Sequence, residues 1–261
     1  MVSIKTFRAN NVTIINGKVI NGNDSISYKN FDDRKEENAH NVEKITIDSS
    51  MADVDVSVSN SEKVEAHFFG EVSVDGDVKF DVKRILNEII VTLNFSGASF
   101  GGNLKLNVTI PAKEFKQIFI KTNSGDVQVR ENVATSDLKV KTQSGDVETN
   151  SIFRHAILKT MSGDVDIFIN AISNVELEVS TMSGDIEAEL QNIGHVNLSS
   201  STMSGTTKNR HNSTVGYTAN VDLSTMSGDI KIRWFAKRVS CLYKTPSLLI
   251  LIQSHIKNRL Y

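Results

Sequence analysis

Apolar residues along most of this chain recur at every second position, and one six-residue signature punctuates the alternation. The signature is Thr-x-Ser-Gly-Asp-Val, found at Thr122–Val127, Thr142–Val147, Thr160–Val165, Thr181–Ile186, Thr202–Thr207 and Thr225–Ile230. Aligned on its serine, the position six before holds Ile118, Leu138, Ala156, Leu177, Leu198 and Val221. Four before stand Ile120, Val140, Leu158, Val179, Ser200 and Leu223, and three after stand Val127, Val147, Val165, Ile186, Thr207 and Ile230. A period of two is that of a half-buried β-strand, and the helical period fits nowhere in this region. Each repeat therefore predicts a strand, a tight corner, a second strand and a loop of variable length.

The corner glycines stand at 125, 145, 163, 184, 205 and 228, at intervals of 20, 18, 21, 21 and 23 residues. A period near 20 marks a stacked repeat, in which each unit buries its apolar face against its neighbours. The expected fold class is all-β, a β-solenoid-like stack of two-strand repeats with N-terminal hairpins. Six coils at the spacing of paired strands span roughly 30 Å. The fifth coil departs from the pattern: Ser200, Thr206, Thr207 and Asn209 replace apolar or acidic residues. Its interior is expected to be more polar or locally distorted.

A degenerate copy opens the array at Ile45, Ile47, Ser49, Met51-Ala52-Asp53, Val54 and Val56, with alanine at the corner. Alternating runs at Val64–Phe68, Val72–Val74, Ile89–Phe95 and Leu104–Ile110, with Gly76 and Gly101-Gly102 as turns, predict hairpins. Asn16-Gly17 and Asn21-Gly22 flank Val19 and Ile20, which reads as short strands with tight turns. Residues 24–42 are polar and charged and read as an exposed loop or linker. The expected organisation is short strands and a polar linker over 1–42, the repeat domain over 43–235, and a tail over 236–261. The tail loses the alternation and runs through Pro246 into the apolar Leu248–Ile252. It reads either as a cap over the last coil, whose open edge would invite aggregation, or as a segment foreign to the fold.

Composition narrows the function classes. With 29 Lys+Arg against 31 Asp+Glu, the net charge of −2 argues against a nucleic-acid binder working through bulk charge. The single Cys241 excludes an intramolecular disulfide framework and offers no zinc site. Met1–Asn11 lacks the apolar core of a signal peptide, and no run approaches the roughly 18 apolar residues of a membrane helix. The expectation as encoded is a cytoplasmic protein without a membrane span.

The corner residues themselves read as structural turn motifs. Gly125, Gly145, Gly163, Gly184, Gly205 and Gly228 supply a positive φ. Ser124, Ser144, Ser162, Ser183, Ser204 and Ser227, with Asp126, Asp146, Asp164, Asp185 and Asp229, satisfy backbone groups in the turn. Stacked in register, the aspartates form a column, for which a calcium ladder is the alternative to corner capping. The nine-residue calcium-binding repeat is not the period of this array. Six equivalent serines do not single out a nucleophile, which needs one privileged hydroxyl beside a base. The histidines at 40, 67, 155, 195, 211 and 255 have no ligand spacing. Met161, Met182, Met203 and Met226 share one corner position, where packing is expected and a soft contact strip for a partner is the alternative. No catalytic, cofactor-binding or metal-ligating residue is assigned.

The Ser-Gly-Asp followed by Val or Ile, the threonine two residues upstream, and the lead-in Leu106-Asn107-Val108-Thr109-Ile110-Pro111 resemble the bacterial DUF4097 family. The resemblance covers about residues 43–232. It implies a β-solenoid-like repeat fold and, through the family's common description as adhesins, a role in adhesion or surface-associated interaction. It brings no catalytic residues with it. The expected function is a non-enzymatic binding scaffold for a macromolecule, either a cell-envelope component or a protein. The alternative is a carbohydrate-active β-solenoid enzyme, a lyase or glycosidase. That alternative needs a carboxyl pair at a defined separation, with something to raise one pKa.

Overall fold

The computed structural model describes residues 26–73, 77–96, 102–211 and 215–235, together with three short strands nearer the start. Those three are β1 (Ile4–Phe7), β2 (Thr13–Ile15) and β3 (Lys18–Ile20). The N-terminal part continues with β4 (Ile26–Asn38), β5 (Lys44–Ser49), β6 (Asp53–Ser59), β7 (Lys63–Ser73), β8 (Asp77–Ile85), β9 (Glu88–Ser96) and β10 (Gly102–Pro111). The repeats supply β11 (Glu114–Thr122), β12 (Val127–Val129), β13 (Ala134–Lys141), β14 (Val147–Thr149), β15 (Ile152–Lys159) and β16 (Val165–Asn170). They end with β17 (Val175–Ser183), β18 (Ile186–Gln191), β19 (Ile193–Ser204), β20 (Thr207–His211), β21 (Tyr217–Ser227) and β22 (Ile230–Phe235). No helix occurs among the described residues.

Two large sheets face one another. One runs β1-β4-β7-β10-β6-β12-β14-β16-β18-β22-β20, the other β19-β21-β17-β15-β13-β11-β5-β9-β8. Each repeat places its first strand in the second sheet and its second strand in the first, so the signature turns the corner between them. Neighbouring repeat strands pair in parallel and in register, for example Ile120 with Val140 and Val140 with Leu158. The alternation fills the space between the sheets. Ile120, Val140, Leu158, Val179 and Leu223 are buried as one row, and Val127, Val147, Val165, Ile186 and Ile230 as another. Each such side chain contributes about 1.5–3 kcal/mol by leaving water.

The coils do not stack in chain order. β21 lies between β17 and β19, and β22 between β18 and β20. The sixth coil therefore occupies the slot beside the fourth, and the fifth forms the end of the stack. The polar substitutions explain the exchange. A coil covered on both faces must be apolar, and Ala219, Val221, Leu223, Ile230 and Ile232 are all buried. Thr207 and Asn209 of the fifth coil are exposed, and Val196 and Leu198 are only partly buried. Burying Thr207 and Asn209 in an inner slot would strip their polar groups of water without offering partners. The opposite end repeats the arrangement, with β5 and β6 lying between β9–β10 and β11–β12.

The expected hairpins are met in part. β8 and β9 pair antiparallel around Leu86 and Asn87, and β2 pairs antiparallel with β3. β9 and β10 instead form a parallel coil, each in a different sheet, beside β5 and β6. Gly76 and Gly101 lie outside the described residues, as do Asn16-Gly17, Asn21-Gly22 and the whole tail 236–261.

The stretch read as a loop or linker, residues 24–42, is largely strand. β4 pairs antiparallel with β7 from Tyr28–Ser73 to Asn38–Lys63. Its own side chains from Asp32 to Asn38 are all polar or charged, which is why alternation does not reveal it, although its partners across the ladder include Val64, Ala66, Phe68 and Val72. His67 Nε2 lies 2.7 Å from Asp32, Lys63 pairs with Glu36, and Lys35 donates to the Phe80 carbonyl at 2.7 Å. Among the described side chains of this strand, Phe31 packs on the core.

Candidate functional site: the stacked corner

The corner column combines the signature residues of successive coils. Each corner glycine has a positive φ, from 123° at Gly125 to 155° at Gly205, a range that excludes side chains. A Cβ at Gly184 would also collide with the carbonyl oxygen of Gly163, and one at Gly228 with that of Gly184. Glycine is therefore required twice, by backbone conformation and by contact with the neighbouring coil.

Main-chain bonds run from coil to coil through the corner. Gly163 N–H donates to Ser183 O, Gly184 N–H to Ser227 O and Gly228 N–H to Ser204 O, at 2.9–3.0 Å. The corner threonines serve the same column. Thr181 Oγ1 donates to the Gly163 carbonyl at 3.3 Å, Thr225 to Gly184 at 3.1 Å and Thr202 to Gly228 at 3.0 Å. In the first two repeats the hydroxyl turns inward on its own loop, with Thr122 donating to Ser124 O and Thr142 to Ser144 O.

The aspartates form a continuous ladder. The backbone N–H of Asp126 donates to Asp53, that of Asp146 to Asp126, Asp164 to Asp146, Asp185 to Asp164 and Asp229 to Asp185, each through Oδ1 at 2.7–3.0 Å. The top rung differs. Thr206 donates to Asp229 Oδ1 through both its N–H, at 2.9 Å, and its Oγ1, at 3.0 Å. The Thr206 bonds, with Lys208 and Lys231 nearby, hold the Asp229 carboxyl below the usual aspartate range. The fifth coil carries threonine where the others carry aspartate because no coil stacks beyond it to need the acceptor.

The serines Ser124, Ser144, Ser162 and Ser183 bridge one another through parallel main-chain pairing, and Ser227 pairs with both Ser183 and Ser204. The described histidine contacts lie elsewhere. His155 Nδ1 is 3.0 Å from Asp137, and His195 Nε2 is 2.9 Å from Asn197. Among the described residues, no three His, Cys, Asp or Glu side chains converge as a metal cluster.

Two features go beyond what the strand pattern places. First, the methionines do not pack into the corner. Met161, Met182 and Met226 are about half exposed and Met203 is 80% exposed, and all four line one groove of 790 Å³. The alternation locates core positions but says nothing of a position in the turn, so packing was the wrong expectation. Second, Glu148, Asp166 and Glu187 stand side by side across β14, β16 and β18 on the outer face. Partial burial, followed by the charges of Glu187, Asp164, Glu148 and Asp146, raises the Asp166 carboxyl above its usual range. Each is an outward residue within an alternating strand, and only the register reveals the row.

Among solved structures, the chain is similar to a "putative cell adhesion protein" from Clostridium sporogenes ATCC 15579. That likeness has 14% identity and a TM-score of 0.47, covering 79% of this chain and 100% of that one. An adhesin of the same provisional kind from Bacteroides fragilis NCTC 9343 is similar at 15% identity, TM-score 0.44, over 77% and 97% of the two chains. A lipid-binding protein, again so named provisionally, from Parabacteroides distasonis ATCC 8503 is similar at 11% identity, TM-score 0.30, over 78% and 96%. No curated protein matches the chain. The sequence profile of the Toastrack DUF4097 family matches residues 42–167 and 154–233, which span the stacked coils from the degenerate copy to the last repeat, and the chain belongs to that family.

Proposed function

We propose that this chain is a non-enzymatic, adhesin-like interaction module that contacts a macromolecule through its laddered surface. The observation that carries this reading is the equivalence of the corners. The ladder aspartates accept the same kind of bond from coil to coil, and the corner serines pair alike through the main chain. A repeated array without a privileged nucleophile or base offers many similar contact points, and avidity over them makes weak single contacts effective. The partner class is a cell-envelope component or a protein, with surface association following from that role.

A second reading, cleavage of a glycan, has one observation in its favour. Asp166 has a raised pKa and stands between Glu148 and Glu187, and with Glu148 it lines an outer groove of 570 Å³. A glycosidase needs a carboxyl pair of this general kind. The two readings are separated by incubating the purified chain with envelope fractions and with polysaccharides. Saturable binding without turnover supports the interaction module. Glycan cleavage that vanishes in Asp166→Asn would replace it with the enzyme.

A further inference from the structure

We propose that the methionine column is a thioether site for a soft monovalent cation, copper(I) in chemistry, with silver(I) as its redox-inert equivalent. In spatial order the column reads Met161, Met182, Met226 and Met203, one residue on each of four adjacent coils. Their neighbours fix the register: Ser162 bridges Ser183, Thr181 pairs with Thr225, and Thr202 with Thr225. Adjacent paired strands lie about 4.8 Å apart, so each methionine has another at that spacing. The long, unbranched side chain with its polarizable sulfur lets neighbouring thioethers converge on one ion.

The concentration of residues is specific to this place. The sequence holds 6 methionines, and four of them line this groove. The other groove residues are Asn123, Gln143 and corner serines, so no cationic side chain opposes a bound ion. The ladder carboxylates Asp164, Asp185 and Asp229 follow three residues after Met161, Met182 and Met226 in the same corners. They favour a cation there. Thioether donors select copper(I) over the hard ions that carboxylates and carbonyls bind. The exposed methionine side chains need no opening of the core to reach an ion.

The test uses the full chain in a Cys241→Ser background, because a thiolate would itself bind the probe. Under anaerobic, reducing conditions, copper(I) is titrated against a chromophoric copper(I) chelator. Silver(I) is titrated with observation of the methionine methyl resonances. The expected result is withdrawal of one or two copper(I) ions per chain, with silver(I) shifting the resonances of the four column methionines selectively. Met182→Leu with Met226→Leu, volume-conserving changes at exposed positions, should weaken the competition at least tenfold while leaving the circular dichroism and melting curve unchanged. Gln143→Met, which extends the column by one rung, should strengthen it. Failure of the parent chain to withdraw copper(I), or equal competition by the double leucine variant, would overturn the proposal.

Discussion

Thr206 donates two hydrogen bonds to Asp229, a residue 23 positions further along the chain but directly beneath it in the stack. This contact joins the fifth coil to the sixth. It makes the fifth coil the end of the array, although the chain continues beyond it. The order of coils in space, and the polarity of the coil at the end, are two views of one fact.

That order can be read out by cross-linking. Ser224 pairs with Ser180 on one side and with Ser201 on the other. In a Cys241→Ser background, Ser180→Cys with Ser224→Cys should form a disulfide on mild oxidation, given Cα separations of about 4.4–6.8 Å for such bonds. Ser180→Cys with Ser201→Cys should not, since a whole strand lies between them. A gel-shift pattern with the opposite preference would mean that the coils follow chain order.

The top rung should respond to acid. The Asp229 carboxyl is held below its usual range by Thr206, so ionisation favours the folded state. Its contribution is fully present above the unfolded aspartate pKa of about 3.9 and is lost as pH falls through the lower folded value. Protection of the Thr206 amide against hydrogen exchange should show an additional fall as pH drops through that lower folded value. In Asp229→Asn that additional acid sensitivity should disappear.

Asp166 should behave in the reverse sense. Its pKa is raised, so ionisation disfavours the folded state at neutral pH and the penalty fades as pH falls. Asp166→Asn should raise the melting temperature at pH 7 and change it little near pH 3. A lower melting temperature at pH 7 would indicate a favourable interaction of the carboxylate outweighing the repulsion from Glu148 and Glu187.

Gly184→Val should destabilise by about 1–3 kcal/mol from backbone strain alone, and by more once the collision with Gly163 O is included. Glu176→Gln, at an exposed position on β17, should stay within about 0.5 kcal/mol of the parent. Equal denaturant midpoints for the two variants would contradict the corner geometry.

Thr181→Val removes the hydroxyl that donates to the Gly163 carbonyl while keeping the volume of a buried side chain. The expected loss is about 1 kcal/mol, the net worth of one internal hydrogen bond together with a partly orphaned acceptor. Unfolding in urea measures it, and no change would mean that water replaces the hydroxyl.

Much of this architecture was legible in the residues because it is local. Alternation decides which side chains of a strand face inward, so Ile118 to Val129 and their repeats could be placed without knowing any neighbour. The corner glycines were legible because one residue type meets the conformational demand. The functional surface was less so. The exposure of Met182 and the crowding of Asp166 by Glu148 and Glu187 depend on what stands on the adjacent coil. A single repeat does not contain that information.

By itself, the sequence determined the strand period, the corners, the repeat length and the anomaly of the fifth coil, since each is read along the chain without knowing which segments pair in space. Only the tertiary structure decided that the sixth coil stacks on the fourth, that Asp53 starts the carboxylate ladder and Thr206 ends it, and that charged β4 is a strand. These outcomes rest on contacts between distant segments. Parallel pairing aligns any two strands of matching period, so local pattern leaves the order of coils open. The choice falls to burial: the apolar coil takes the slot covered on both faces, and the polar coil takes the end that meets water.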